Sequence, residues 1–268
     1  LVVIKKVSQT VGSVRIDTKT YKDSSDKIAN VTREIYELDG NDERLLQKIT
    51  DPDGLALTDV YSYDESTKLK SSQILSDGSW NKYFYDADKR VIKEFMSYKD
   101  VTLAEATDNN CRVYTYDYTA HSSDDDATMS TSSARTTTKK VAGVVVNKNF
   151  YSTYKTASNE KVVINERAVS SSAEFGDANN LRTVRSYYPD SSSVESGKSQ
   201  SVVYADGQTE TYQYHKGSLT VPADPNNMTF VAGSGEDTCE TTIFGTLTSE
   251  AGIAYKTLRT GRRQLCCF

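Results

Sequence analysis

Apolar and polar residues alternate along most of the chain, and the alternation is broken at short intervals by Asp, Gly, Asn, Pro and Ser. A period of two places successive side chains on opposite faces of a strand, so the pattern predicts short β-strands joined by tight turns. The rhythm is clearest from Ile35 onward. Ile35-Tyr36-Glu37-Leu38-Asp39 is followed by Leu45, Leu46 and Ile49, the turn Asp51-Pro52-Asp53-Gly54, a strand from Leu55 to Val60, and Tyr61-Ser62-Tyr63-Asp64. Then come Leu69, Ile74, the turn Asp77-Gly78, Trp80, and Tyr83-Phe84-Tyr85-Asp86. Each unit reads as strand, Tyr-x-aromatic-Asp turn, strand, Asp-Gly turn. Asp39 to Asp64 is 25 positions and Asp64 to Asp86 is 22, a near-constant period that marks stacked supersecondary repeats.

The rest of the chain is read against this unit. Residues 1–34 precede the repeats as one or two strands broken at Gly12-Ser13, with Asp23-Ser24-Ser25-Asp26 as a loop. Residues 35–120 hold the repeats; Tyr114-Thr115-Tyr116-Asp117 lies 31 positions after Asp86, so an insertion is expected around Lys99 to Asn110. Residues 121–140, rich in Ser, Thr and Asp, are expected as an exposed loop or linker. Residues 141–258 carry degenerate repeats, with Asp206-Gly207 preceding Tyr212-Gln213-Tyr214-His215 at the spacing seen from Asp77 to Tyr85. Residues 259–268 (RTGRRQLCCF) lack the rhythm and are read as an atypical tail, a true end or a truncation or frame-shift remnant. The predicted fold is all-β, with consecutive antiparallel hairpins in a twisted, curved sheet.

Each residue type has a local reason. Asp-Gly at a two-residue connection supplies the positive φ angles of a type I′ hairpin turn. The Asp after the aromatic pair can accept a hydrogen bond from the backbone two residues on. In Tyr-x-Tyr both rings fall on one face of the strand, and stacked repeats are expected to set those rings in a ladder.

Tyr-x-Tyr-Asp units joined by Asp-Gly hairpins resemble the YD repeats of RHS-repeat proteins. The residues that carry the resemblance are Tyr61 to Asp64, Tyr83 to Asp86 and Tyr114 to Asp117, with Asp53-Gly54, Asp77-Gly78 and Asp206-Gly207. Ser66-Thr67-Lys68 and Asp88-Lys89-Arg90 stand where that family has Gly-Arg after the Asp. The resemblance implies a partial YD-repeat shell: a β-ribbon that spirals into a hollow enclosure on secreted or cell-surface bacterial proteins. In that family the shell often encloses a C-terminal toxin or binds other surfaces, carbohydrate included.

Composition narrows the function classes. The net charge of -5 and the absence of a Lys/Arg run argue against a nucleic-acid partner. No apolar run approaches the roughly 20 residues of a spanning helix. The four cysteines, Cys111, Cys239, Cys266 and Cys267, do not make a disulfide-dense scaffold; a Cys111–Cys239 bridge and free thiols are both open. The chain starts at Leu1 without an initiator Met or signal peptide and is expected to be a piece of something longer.

No catalytic or metal-binding constellation emerges, and no cofactor is expected. His121 and His215 are the only histidines and stand in no metal-ligand spacing. Asp124-Asp125-Asp126 reads as a solvated acidic loop before a calcium site. Asp51-Pro52-Asp53-Gly54-Leu55 resembles the Asp-Pro-x-Gly-Leu at which some RHS toxins cut themselves, but reads first as an ordinary turn. Asn30-Val31-Thr32 and Asn227-Met228-Thr229 fit the glycosylation acceptor pattern. The candidates for binding are the rings: Tyr61, Tyr63, Trp80, Tyr83, Tyr85, Tyr114, Tyr116, Tyr212 and Tyr214. They either pack the sheet or present an amphipathic surface to a glycan or a cell-surface protein. The expected function is a non-catalytic structural segment, the alternative an adhesin-like module, and the weaker alternative an enzymatic or toxin-associated module.

Overall fold

The computed structural model describes residues 3–121, 133–220, 229–235, 237–244, 253–260 and 263–267. The chain is all-β and divides into two compact units, Leu1–Tyr116 with Thr138–Val146, and Asp117–Thr137 with Asn147–Phe268. The acidic run 124–126 and Asn227-Met228 lie outside the described residues.

The first unit is a meander of β1 (Val3–Val11), β2 (Val14–Lys22), β3 (Ile28–Asp39), β4 (Asp42–Thr50), β5 (Leu57–Tyr63), β6 (Lys70–Ile74), β7 (Trp80–Tyr85), β8 (Val91–Met96) and β9 (Arg112–Asp117). Each strand pairs antiparallel with the next. The expected insertion falls between β8 and β9, where Leu103–Glu105 forms one 3-10 turn. Val101, Leu103 and Ala106 of this segment pack on a core of Trp80, Phe95, Cys111 and Val113.

Next come β10 (Thr136–Val141) and β11 (Val144–Lys155), so the segment read as a linker already contains strand from Thr136 onward. The second unit continues with β12 (Lys161–Arg167), β13 (Leu181–Tyr187), β14 (Ser199–Val203), β15 (Thr209–Thr220), β16 (Thr229–Ala232), β17 (Asp237–Phe244), β18 (Ile253–Thr260) and β19 (Arg263–Cys267). Pairing is again antiparallel and sequential, except that β15 pairs with both β16 and β17. Most of the segment read as a tail therefore runs within the last hairpin.

The turns correct one expectation. Asp77-Gly78 and Asp206-Gly207 do not form two-residue type I′ connections, because only the glycines, at φ 83° and 84°, have positive φ. Instead the Leu75 N–H donates to the Ser79 carbonyl and the Gly78 N–H to the Leu75 carbonyl, and Tyr204, Gly207 and Gln208 repeat this arrangement. This is a three-residue loop ending in one left-handed residue, whose twist also suits paired strands. The same bonds close 23–27, 86–90 and 156–160, with Asp26, Lys89 and Asn159 as the left-handed residue. The type I′ pattern appears at Ala142-Gly143, φ 48° and 80°, where β10 turns into β11.

The role expected of the aspartates after the aromatic pairs, Asp64, Asp86 and Asp117, holds, and Asp77 and Asp206 of the Asp-Gly loops share it. Asp64, Asp77, Asp86, Asp117 and Asp206 each accept the N–H two residues ahead, at 2.8–3.1 Å. Ser66 and Thr67 hydroxyls and the Thr67 N–H hold the Asp64 carboxyl down at about 2. A carboxylate depressed on folding stabilises the protein above its unfolded value near 4 and loses that effect as pH falls through the folded value. Asp64→Ala is therefore expected to lower Tm at pH 7, with the gap from the unmodified chain narrowing as pH drops from about 4 towards 2. Thermal unfolding followed by circular dichroism across that range checks it.

Candidate functional site

Register decides which candidate rings meet. Tyr61 lies opposite Gln73, Gln73 opposite Asn81, Asn81 opposite Met96 and Met96 opposite Arg112, so these side chains share a face. Tyr83, Glu94 and Tyr114 form the next row on that face. Alternation adds Tyr63, Tyr85 and Tyr116, so the six candidate tyrosines of the first unit share one aromatic face, all half-buried. Trp80 is three residues before Tyr83 and falls on the opposite face, 4% exposed, with its indole N–H donating to the Val101 carbonyl at 2.9 Å. It belongs to the core and not to the ring surface.

The ring ladder expected from the repeats is interrupted. Each repeat contributes two strands and only one carries Tyr-x-Tyr, so successive pairs sit two strands, or about 9.6 Å, apart. The gaps are filled by side chains of β6 and β8: the Lys70 ammonium lies 4.6 Å from the Tyr83 ring centre, and Glu94 accepts the Tyr116 phenol at 3.3 Å. Rings stack within a strand instead, Tyr114 on Tyr116 at 6.4 Å and 14°.

Two of the phenols have backbone partners. Tyr63 donates to the Leu45 carbonyl at 2.9 Å and Tyr85 to the Lys70 carbonyl at 2.8 Å, each on the preceding strand. Burial pushes both phenols above their ordinary pKa. The return strand carries a register shift beside both residues, between Ser62 and Tyr63 and between Phe84 and Tyr85. An equivalent shift precedes the Asp23 loop, between Tyr21 and Lys22, which makes the N-terminal hairpin a unit of the same construction.

In the second unit Tyr212 and Tyr214 follow Glu210, which lies opposite Val202, and Val202 lies opposite Arg185 on the same face. Tyr188 donates to the Tyr212 carbonyl at 2.9 Å and sets its ring edge against Tyr214 at 6.1 Å. Burial, with Glu210 accepting a hydrogen bond from the hydroxyl, pushes the Tyr212 phenol up. Tyr187, Lys198, Tyr214, Thr238 and Glu240 line a cleft of about 330 Å³, with the Lys198 ammonium 4.5 Å above the Tyr214 ring.

The histidines stand apart from this cleft's lining. His121 stacks on Phe175 at 4.1 Å and 12°, meets Phe150 edge-on, and has Nε2 3.2 Å from the Arg135 carbonyl. His215 is exposed in β15, opposite Cys239. Cys111 and Cys239 are free and buried, one in each unit, and burial pushes the Cys111 thiol up. Among the described residues no group of His, Cys, Asp or Glu could hold a metal ion. No described helix is long and apolar enough to cross a membrane.

The alternation pattern does not mark the buried polar cluster at Glu166. Its carboxylate accepts the Gly176 N–H at 2.8 Å, the Asn180 amide at 2.5 Å and the Arg182 guanidinium at 2.7 Å, which pins the connection between β12 and β13. Glu166 follows Val162 and Ile164 at a spacing of two, where the buried face of β12 calls for an apolar residue, the one sequence signal that could have pointed to it. The chain matches no protein-family model and no curated protein.

If the phenols act as backbone anchors, removing the hydroxyl is costly only where a carbonyl depends on it. Tyr85→Phe is expected to cost about 1 kcal/mol, whereas Tyr83→Phe is expected to stay within about 0.5 kcal/mol. Urea unfolding of the two variants checks the contrast. Glu166→Ala, which leaves Arg182 without its buried partner, is expected to cost roughly 3 kcal/mol in the same assay.

Proposed function

We propose that the chain is a non-catalytic structural segment, a run of YD-type hairpins from a secreted or cell-surface RHS-repeat protein. The observation that carries this reading is where the repeated polar groups are directed. The Asp64, Asp77 and Asp86 carboxylates accept loop N–H groups, and the Tyr63 and Tyr85 phenols donate to neighbouring carbonyls. Groups held on their own backbone hold hairpins together and are not free for a substrate. The repeat spacing and the recurring loop construction support membership of the RHS type, with a toxin domain of the parent chain as the enclosed partner. Secretion or surface display follows from that membership.

A second reading, an adhesin-like module for a glycan or a cell-surface protein, is favoured by the six half-exposed tyrosines on one face of the first unit. The two readings separate on a glycan array probed with the full chain. The structural reading expects no saturable glycan binding. Binding that disappears in Tyr83→Ala while Tm is unchanged would overturn it in favour of the second reading.

A further inference from the structure

The face of the first unit opposite the tyrosines is aliphatic and is covered along only part of its length. Pairing places Ile16, Ile35, Gln47, Val60, Ile74 and Trp80 directly opposite one another in succession, one row running across β2 to β7. At the Trp80 end the chain supplies its own cover, Val101, Leu103 and Ala106 of the connection between β8 and β9. The cover stops there. Ile74 is 40% exposed and Ile16, Ile35 and Val60 are half-buried, and a cleft of about 460 Å³ opens beside Ile74, with Val101, Leu103 and buried Trp80 in its wall. Val7 and Val11 on β1 extend the uncovered surface, at 51% and 65% exposure.

The covered end shows which chemistry this face accepts. The covering segment alternates aliphatic and polar residues, Val101-Thr102-Leu103, and carries Asp100, Glu105 and Asp108 against one lysine, Lys99. Its Asp108 pairs at 2.5 Å with Lys93, which stands on the same sheet face as Phe95. The uncovered part repeats the combination. Arg33 flanks the apolar row on one side, opposite Thr18 and Ile49, and Lys82 flanks it on the other, opposite Ser72 and Phe95. Neither cation forms an ion pair among the described residues.

We propose that the uncovered aliphatic row docks an acidic polypeptide segment with aliphatic side chains at alternate positions, supplied by another chain. The row continues an apolar contact already made inside the unit, and its two cations, of which Lys82 lies 5.6 Å from the Phe84 ring centre, complement a carboxylate-bearing partner. Such a segment lies beside Val101 and Leu103, fills the cleft at Ile74 with an aliphatic side chain, and brings carboxylates to Arg33 and Lys82. The surface stands whether or not the chain is an RHS-type segment, since it rests on register and charge alone.

The test uses the full chain and a fluorescent synthetic peptide with the Lys99–Asp108 sequence, KDVTLAEATD, read by anisotropy. Saturable binding is expected, weakened at least about fivefold by Arg33→Glu or Lys82→Glu and weakened by raising ionic strength. A peptide carrying Val101→Ser and Leu103→Ser is expected to lose binding. Circular dichroism of each variant confirms that the sheet is retained, and the serine peptide tests the apolar contact without altering the protein. No saturation at millimolar peptide overturns the proposal. So does binding that ignores Arg33→Glu and Lys82→Glu, which places the peptide elsewhere. Sedimentation that shows a dimer abolished by Arg33→Glu also overturns it, because a second copy then occupies the face.

Discussion

One residue with positive φ near the end of each hairpin loop is the constraint on which the arrangement depends. In the loops 23–27, 75–79, 86–90, 156–160 and 204–208 the fourth residue is left-handed, and the same two backbone bonds close each loop. The side chain of a nearby Asp or Thr completes it by accepting an N–H. This geometry sets how the return strand pairs with the outgoing one, and a shift of one residue would send every side chain to the other face. The two-faced character of the first unit therefore originates in its turns.

The two faces of that unit follow from the register. One carries half-buried tyrosines separated by the polar side chains of β6 and β8, and two of its phenols, Tyr63 and Tyr85, anchor to neighbouring carbonyls. The other carries aliphatic residues, and the insertion between β8 and β9 closes over one end of it. The second unit solves the same problem differently. There the connection between β12 and β13 is held by buried Glu166, whose acceptors are filled by Gly176, Asn180 and Arg182. A buried carboxylate of this kind is tolerable only because its hydrogen bonds are satisfied.

The fold class was legible because period-two alternation and Asp-Gly signals are local. The position of the insertion, the placement of the tyrosines on one face and the turn role of the aspartates were legible for the same reason. The turn type was not. Asp-Gly permits type I′, but Asp77 and Asp206 keep negative φ, and Lys89 takes the left-handed position that Gly78 takes one loop earlier. A lysine there gives no signal in sequence. The opposite placement of Trp80 could have been read, since an odd separation from Tyr83 puts it on the other face. The ring ladder failed because it assumed a Tyr pair on every strand. The Glu166 cluster joins residues fourteen and sixteen positions apart, and only the folded connection between two strands brings them together.

The central claim, that these loops fix a register separating a tyrosine face from an aliphatic face, is tested most directly by cross-strand disulfide trapping. Gln73 and Asn81 lie opposite one another across the 75–79 loop, while Lys82 points to the other face. In the Gln73→Cys, Asn81→Cys chain, mild oxidation is predicted to yield an intramolecular disulfide by peptide mapping, and in the Gln73→Cys, Lys82→Cys chain it is predicted to yield none. Crosslinking of the second pair in preference to the first would contradict the account.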